Sequence, residues 1–228
     1  MGAGSTFRAR VRAHDDPVGG VSLPITPTPW RELLNIDGED VRANAVRVES
    51  DPLLFKLGDA TARLWNELNY EKRQLFFKGE LTWDKIREVN RRCYHRYKSV
   101  LKVNAGEVIR LNDGAWKSFF KLLELKNRGR LPPFTGKISP PGFWKDRALG
   151  KRRLVVVVRA DRYYVERVED GWGYIVLKDF KKKIKYYGRM MWSGKQGDLV
   201  ITYRDGRWIA NIPVVVGASP PKWNKRGY

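Results

Sequence analysis

Three groups of side chains in this sequence have the types and spacing that do chemistry, and all three are cationic. The first is Arg91–Arg92–Cys93–Tyr94–His95–Arg96–Tyr97–Lys98, where helical spacing sets Arg91, Arg92, Arg96 and Lys98 beside aromatic neighbours. The second is KDFKKKIKYYGR, Lys178 to Arg189, in which Lys181, Lys182, Lys183, Lys185 and Arg189 are interleaved with Ile184, Tyr186 and Tyr187. A third and weaker group, Lys151, Arg152 and Arg153, stands directly ahead of an apolar run. Cations neutralise phosphates and release counterions, while exposed aromatic faces stack on unpaired bases. Alternation assigns half of a strand's aromatics to the core, so one of Tyr186 and Tyr187 is open to a base, and Tyr187 is the candidate. The competing reading of each group is a solvated polar face with no ligand.

Catalytic chemistry finds no comparable support. A nuclease or phosphoryl transferase needs clustered carboxylates to hold metal ions. Here residues such as Glu67, Glu71, Asp84, Glu107, Asp161 and Asp205 are scattered among cations at helix starts and turns, where caps and ion pairs account for them. There is no phosphate-cradling glycine loop, no nucleophile elbow and no paired metal-binding histidines. Cys93 is the single cysteine, so an intrachain disulfide and a cysteine-rich zinc site are both excluded. It reads as a small core residue, and His14 and His95 suggest no metal site. The expectation is a protein that is not an enzyme, with no catalytic residue, no metal residue and no cofactor, in a cytoplasmic setting.

Composition decides between a ligand and a bare polar face. The chain has 228 residues and a formal net charge of +20 at neutral pH. That excess opposes compaction by self-repulsion, and a polyanionic partner explains it economically. Nucleic acid is the first candidate. An anionic membrane is the second, but no run approaches transmembrane length, so no membrane partner is expected. The basic residues Arg8, Arg10 and Arg12 lack an apolar run beside them, so they form a loose arm and not a secretory signal.

The elements that must position these cations change type along the chain. Val41–Glu49 alternates as a strand, and Ser50–Asp51–Pro52 supplies an N-cap and first-turn proline for a helix over Leu53–Lys78 closed by Gly79. Thr82 caps a second helix whose apolar face holds Trp83, Ile86, Val89, Cys93, Tyr97 and Val100. Asn104 with Glu107 has capping-box spacing and opens a third helix that runs to Arg128. Gly129 and Pro132–Pro133 end it, and a strap through Pro140–Pro141–Gly142–Phe143–Trp144 follows. The strap reads as a stiff linker whose Phe143 and Trp144 pack on a domain rather than stack on bases. Beyond it the period is two. Strands are expected over Leu154–Val158, Tyr163–Val165, Tyr174–Leu177, Lys183–Tyr187, Leu199–Tyr203 and Trp208–Val216, the last two joined at Asp205–Gly206.

The fold class that follows is α+β: a small antiparallel β-barrel interrupted by an inserted block of three helices. The expected division is an irregular basic arm over 1–40, a β domain of 41–51 plus 137–217, a helical insertion over 52–136 and a flexible tail over 218–228. An insertion of this kind implies a β domain that survives its removal, because closing a longer loop costs little extra.

Several stretches resemble one family. LGDATARLWNELNYEKRQLFF (Leu57–Phe77), LTWDKIR (Leu81–Arg87), YKSVLKVNAGEVIRLNDGAWKSFFKLLELK (Tyr97–Lys126), LPPFTGKISPPGFWKD (Leu131–Asp146) and YIVLKDFKKKIKYYGR (Tyr174–Arg189) are similar to the N-terminal half of archaeal TnpB proteins, the OrfB-type proteins of insertion sequences. The resemblance implies a wedge-like β-barrel carrying a recognition-like helical insertion, which together hold guide RNA and target DNA. The family's RuvC-type nuclease domain, with its metal-binding carboxylates, lies beyond the matched stretches. The implied function is therefore a recognition half that engages structured or guide RNA, with duplex DNA and a RuvC-type nuclease chain as further candidate partners. A split nuclease with its RuvC half in trans, and a repurposed structural RNA- or DNA-binding protein of a ribonucleoprotein or chromatin, are the alternatives.

Overall fold

A computed structural model describes residues 40–133, 135–146 and 150–216. The expected arm, apart from Asp40, and the expected tail lie outside the described residues. Strand β1 (Asp40–Val48) is followed by helices α1 (Pro52–Phe77), α2 (Trp83–Leu101) and α3 (Asn104–Asn127). Then come β2 (Val155–Val158), β3 (Tyr163–Glu169), β4 (Trp172–Leu177), β5 (Lys182–Tyr187), β6 (Lys195–Gln196), β7 (Leu199–Arg204) and β8 (Arg207–Val216). The fold is α+β, as the change of period implies. Among the described residues no helix is long and apolar enough to cross a membrane.

All strand pairs are antiparallel, in the order β2-β7-β8-β1-β5-β4-β3, with β6 added to β8. The first strand in sequence lies in the middle of this sheet. β1 pairs along its whole length with the last strand, from Asp40↔Val216 to Val48↔Trp208, and its end meets β5 at Arg47↔Tyr187. The path ends at β2 and β3 without a closing pair, so the sheet is open where a closed barrel was expected. The turn between β2 and β3 is held by side chains from a helix and from just ahead of β7. At the turn between these strands the amide of Arg159 donates to Asn104 Oδ1 at 3.0 Å, and that of Ala160 to Asp198 Oδ1 at 2.9 Å. Helices α1 and α3 pack on β2, whose four valines are all buried.

Two of the three helix starts are as the sequence implies. Asp51 Oδ1 accepts from the amide of Leu53 at 2.8 Å, and Thr82 Oγ1 from that of Lys85 at 3.3 Å. The third differs. Asn104 is 3% exposed and makes no cap; its side chain reaches across to Arg159, so tertiary contact overrides the capping-box spacing. At the far end of α3 the amides of Gly129 and Arg130 donate to Lys126 O and Leu125 O, at 3.0 and 2.9 Å. This closes the helix with a Schellman motif and releases the strap.

The strap then runs along α1. Trp144 stacks on Trp65 with centroids 4.4 Å apart, while Trp65 Nε1 and Asn69 Nδ2 both donate to Gly142 O, at 2.9 and 2.7 Å. Trp144 thus packs as expected, whereas Phe143 remains 47% exposed beneath Arg73. Beneath the strap a buried polar network ties the helices together. Lys72 Nζ, fully buried, donates to Asn112 Oδ1 at 2.8 Å and to Asp113 Oδ1 at 2.6 Å. One apolar core runs from Leu57, Leu64 and Val108 of the helices into Val155, Ile201, Ile212 and Tyr186 of the sheet.

Candidate nucleic-acid interface

The alternation of β5 sorts the KKKIKYY run. Ile184 and Tyr186 face the core, and Tyr186 is 1% exposed against 40% for Tyr187. Lys183, Lys185 and Tyr187 therefore share the outer face. The register with β4 sets Trp172 opposite Tyr187, Tyr174 opposite Lys185 and Val176 opposite Lys183. Arg47 of β1 lies across from Tyr187 on its other side. The close approach of β4 and β5 depends on Gly173: a Cβ there would collide with the ring of Tyr186 and with Glu166 O.

On this face the exposed Tyr187 ring and the half-buried Trp172 and Tyr174 rings each carry a cation. Lys185 Nζ lies 4.4 Å from the Trp172 ring centroid and 5.2 Å from that of Tyr187, and the Arg47 guanidinium lies 5.9 Å from Tyr187. Lys183 Nζ is 5.9 Å from the Tyr174 ring and also donates to Glu166 Oε2 at 2.7 Å. That hydrogen bond holds the Glu166 carboxyl below its ordinary range and lifts the Lys183 ammonium above its own. Arg189 is paired with Asp170, which raises its pKa further, and Lys182 reaches Asp51 at 2.8 Å. Lys181 is exposed at the turn into the strand, in a left-handed conformation with φ of 50°.

The other two groups are divided in their roles. On α2, Arg92 pairs with Glu71 and Arg96 with Glu67, both carboxylates belonging to α1, so these two arginines join the helices. Arg91 and Lys98 are exposed and have no ion pair among the described residues. Arg152 pairs with Asp59 at 2.7 Å, while Lys151 is exposed beside it; both line a cleft of about 530 Å3 with Asn66 and Trp144. Arg153 is half-buried, and burial draws its pKa down, with Arg204 adding to the effect.

Sequence reasoning missed Trp172, Tyr174 and Arg47 as partners of the lysines. The alternation of Trp172 and Tyr174 with Gly173 and Ile175 was a usable signal for the first two. Arg47 is more than a hundred residues away in sequence, and only the pairing of β1 with β5 brings it in.

One group among the described residues has metal-ligand chemistry. Ligand atoms of Glu67, Glu71 and Cys93 lie within 4.8 Å of one another. Sequence spacing did not suggest it, because helix packing brings Cys93 to the two glutamates. Both carboxylates are already engaged, Glu67 by Arg96 and by the Tyr97 hydroxyl at 2.8 Å, and Glu71 by Arg92. Burial, and then the charges of Glu67 and Glu71, push the Cys93 thiol up to about 12, so it is neutral at physiological pH and a poor ligand. The cluster works as a helix–helix staple.

No family model matches the chain. It is 44% identical over 196 residues to the TnpB-like protein ORF457 of Acidianus two-tailed virus, a match that covers 83% of this chain. The chain spans only 42% of the viral protein's length. Over most of its length the chain is therefore similar to a TnpB-like protein, as a stretch matching less than half of this relative.

Proposed function

We propose that this chain is a nucleic-acid-binding protein with no catalysis of its own, engaging structured or guide RNA in the manner its TnpB-like character suggests. Target DNA and a RuvC-type nuclease chain are the further partners of this reading. The observation that carries it is the charge. An excess of +20 is combined with candidate cations (Arg91, Lys98, Lys151, Lys181 and Lys185) that have no ion pair among the described residues. Pairs such as Arg189–Asp170, with both side chains well exposed, contribute little and can be exchanged for phosphates. Backbone charge would supply most of the affinity and leave sequence to base pairing with the guide.

The test is a salt titration of RNA binding. If six to ten phosphates are neutralised, affinity should fall by about 10³–10⁵ between 50 and 200 mM salt. A flat titration would assign the charge another role. A companion assay with magnesium or manganese should show no cleavage of RNA or DNA, in keeping with the engaged carboxylates of Glu67 and Glu71. Metal-dependent cleavage that scales with purified protein would overturn the non-catalytic part of the reading.

A further inference from the structure

We propose that the outer face of β4 and β5 is a stacking platform for an unpaired RNA strand, an inference that rests on the nucleic-acid reading above and narrows its ligand. Trp172 and Tyr174 of β4 and Tyr187 of β5 project from one face, with Trp172 and Tyr187 as cross-strand partners. Residues two apart on a strand are separated by about 6.6–6.8 Å. That is roughly twice the 3.4 Å rise per nucleotide of a strand within a duplex. The Trp172 and Tyr174 rings lie edge to face at 78° with centroids 5.9 Å apart, so parallel bases cannot cover both. Stacked, paired bases therefore cannot meet these rings in succession, and their faces are already covered by neighbours. A splayed, unpaired strand can lay one base on each ring.

The cations on this face have a part in the same arrangement. In the free protein Lys185 lies over both Trp172 and Tyr187, and Lys183 lies near Tyr174. Such contacts are weak at exposed sites, and lysine is flexible, so an arriving base can displace the ammonium. The displaced ammonium then lies beside the phosphate that follows the stacked base. Behind the rings, the packing of Gly173 against Tyr186 keeps β4 and β5 close and the platform rigid.

Two carboxylates favour ribose over deoxyribose. Glu166 Oε2 accepts from Lys183, and Glu169 Oε2 accepts from Trp172 Nε1 at 2.9 Å, so each stands beside a ring with acceptor capacity left. A 2′-hydroxyl can donate to either one, and deoxyribose cannot. The same carboxylates repel phosphates, which turns the strand with its bases towards the sheet.

The experiment measures binding of the full chain to three probes: a uridine oligomer of about a dozen nucleotides, within single-strand site sizes, the thymidine oligomer of equal length, and an RNA duplex. Trp172→Ala and Tyr187→Ala should each weaken binding of the uridine oligomer about 5- to 150-fold, with its salt slope unchanged. Duplex binding should stay at the wild-type level. Tyr187→Phe should bind as wild type does. Tyr187→Leu, which keeps bulk on the strand but removes the aromatic face, should fail as alanine does, and this separates stacking from damage to the sheet.

Alanine variants that hold the uridine oligomer as tightly as wild type would overturn the platform and leave salt-dependent nucleic-acid binding standing. Equal losses for oligomer and duplex would do the same, since they would mark a general charged surface. Equal affinity for the thymidine oligomer would overturn the assignment to RNA. A wild-type chain that binds none of the three probes would remove the platform together with the reading it rests on.

Discussion

Lys72 is the residue whose chemistry the fold controls most tightly. Burial draws its pKa down, and Asp113 opposes that shift by charge and hydrogen bond. Removing one partner of a buried ion pair costs about 3–5 kcal/mol, because a charge is left uncompensated. Asp113 retains 27% exposure, so Asp113→Asn is expected near the lower end, about 3 kcal/mol, in urea unfolding at neutral pH. The pH dependence has a definite sign. With the folded-state pKa below 10.5, the unfolded chain binds the extra proton between the two values, so this group's contribution to stability rises with pH across that window. A neutral amine needs no anion, so the penalty of Asp113→Asn should shrink as pH rises towards 10.5, measured against wild type at each pH. A penalty that does not change with pH would mean that Lys72 is held by shape and not by charge.

At the scale of elements, Asn104 is one of the contacts that join helix to sheet. It starts α3 in sequence, yet its Oδ1 accepts the Arg159 amide just beyond β2. Asn104→Ala leaves that amide without its partner. The expected loss is about 1–3 kcal/mol, the cost of one part-buried unsatisfied donor, read as a shift in denaturant midpoint with the slope unchanged. A loss of a few tenths would show instead that α3 is held by its apolar contacts and the Arg110–Asp198 pair. The strap is fixed by the same logic. Gly142 O accepts from both Trp65 and Asn69, and Asn66 Oδ1 accepts the amide of Trp144 at 2.7 Å, so a proline-rich segment gains a defined path along α1.

For the whole molecule, the shared core decides whether the helical block can be removed. Loop closure alone makes removal cheap, at about 0.6 kcal/mol per doubling of loop length. Against this stand the valines of β2 that face the helices, two of the four by strand alternation, each worth about 1.5–3 kcal/mol when covered. Trp208, 1% exposed, also packs against Phe55 of α1. Burial wins by several-fold. Replacing 52–136 with a short flexible linker is therefore expected to abolish cooperative thermal unfolding and amide protection in β2, β7 and β8, contrary to what loop closure alone suggests. Deleting 1–50 should also unfold the sheet, since β1 lies between β8 and β5. A cooperative, protected sheet in the first variant would show that the β half is autonomous.

The sequence by itself determined the element types, most of their limits and the character of the surface. Those are set by local physics: the period of apolar residues, the caps at Asp51 and Thr82, the glycines after the first and third helices, and the count of lysines and arginines. It also determined that Tyr186 and Tyr187 face opposite ways, because strand alternation is strictly local. What only the tertiary structure decided are the relations between distant segments. The anchoring of the turn between β2 and β3 depends on Asn104 and Asp198 taking the amides of Arg159 and Ala160. The pairing of Arg92 and Arg96 with carboxylates of α1 depends on how α1 and α2 pack. The meeting of Arg47, Trp172, Tyr174 and Tyr187 on one face depends on strand register. In each case several partners would satisfy the local pattern equally well, and the geometry of the shared core selects one.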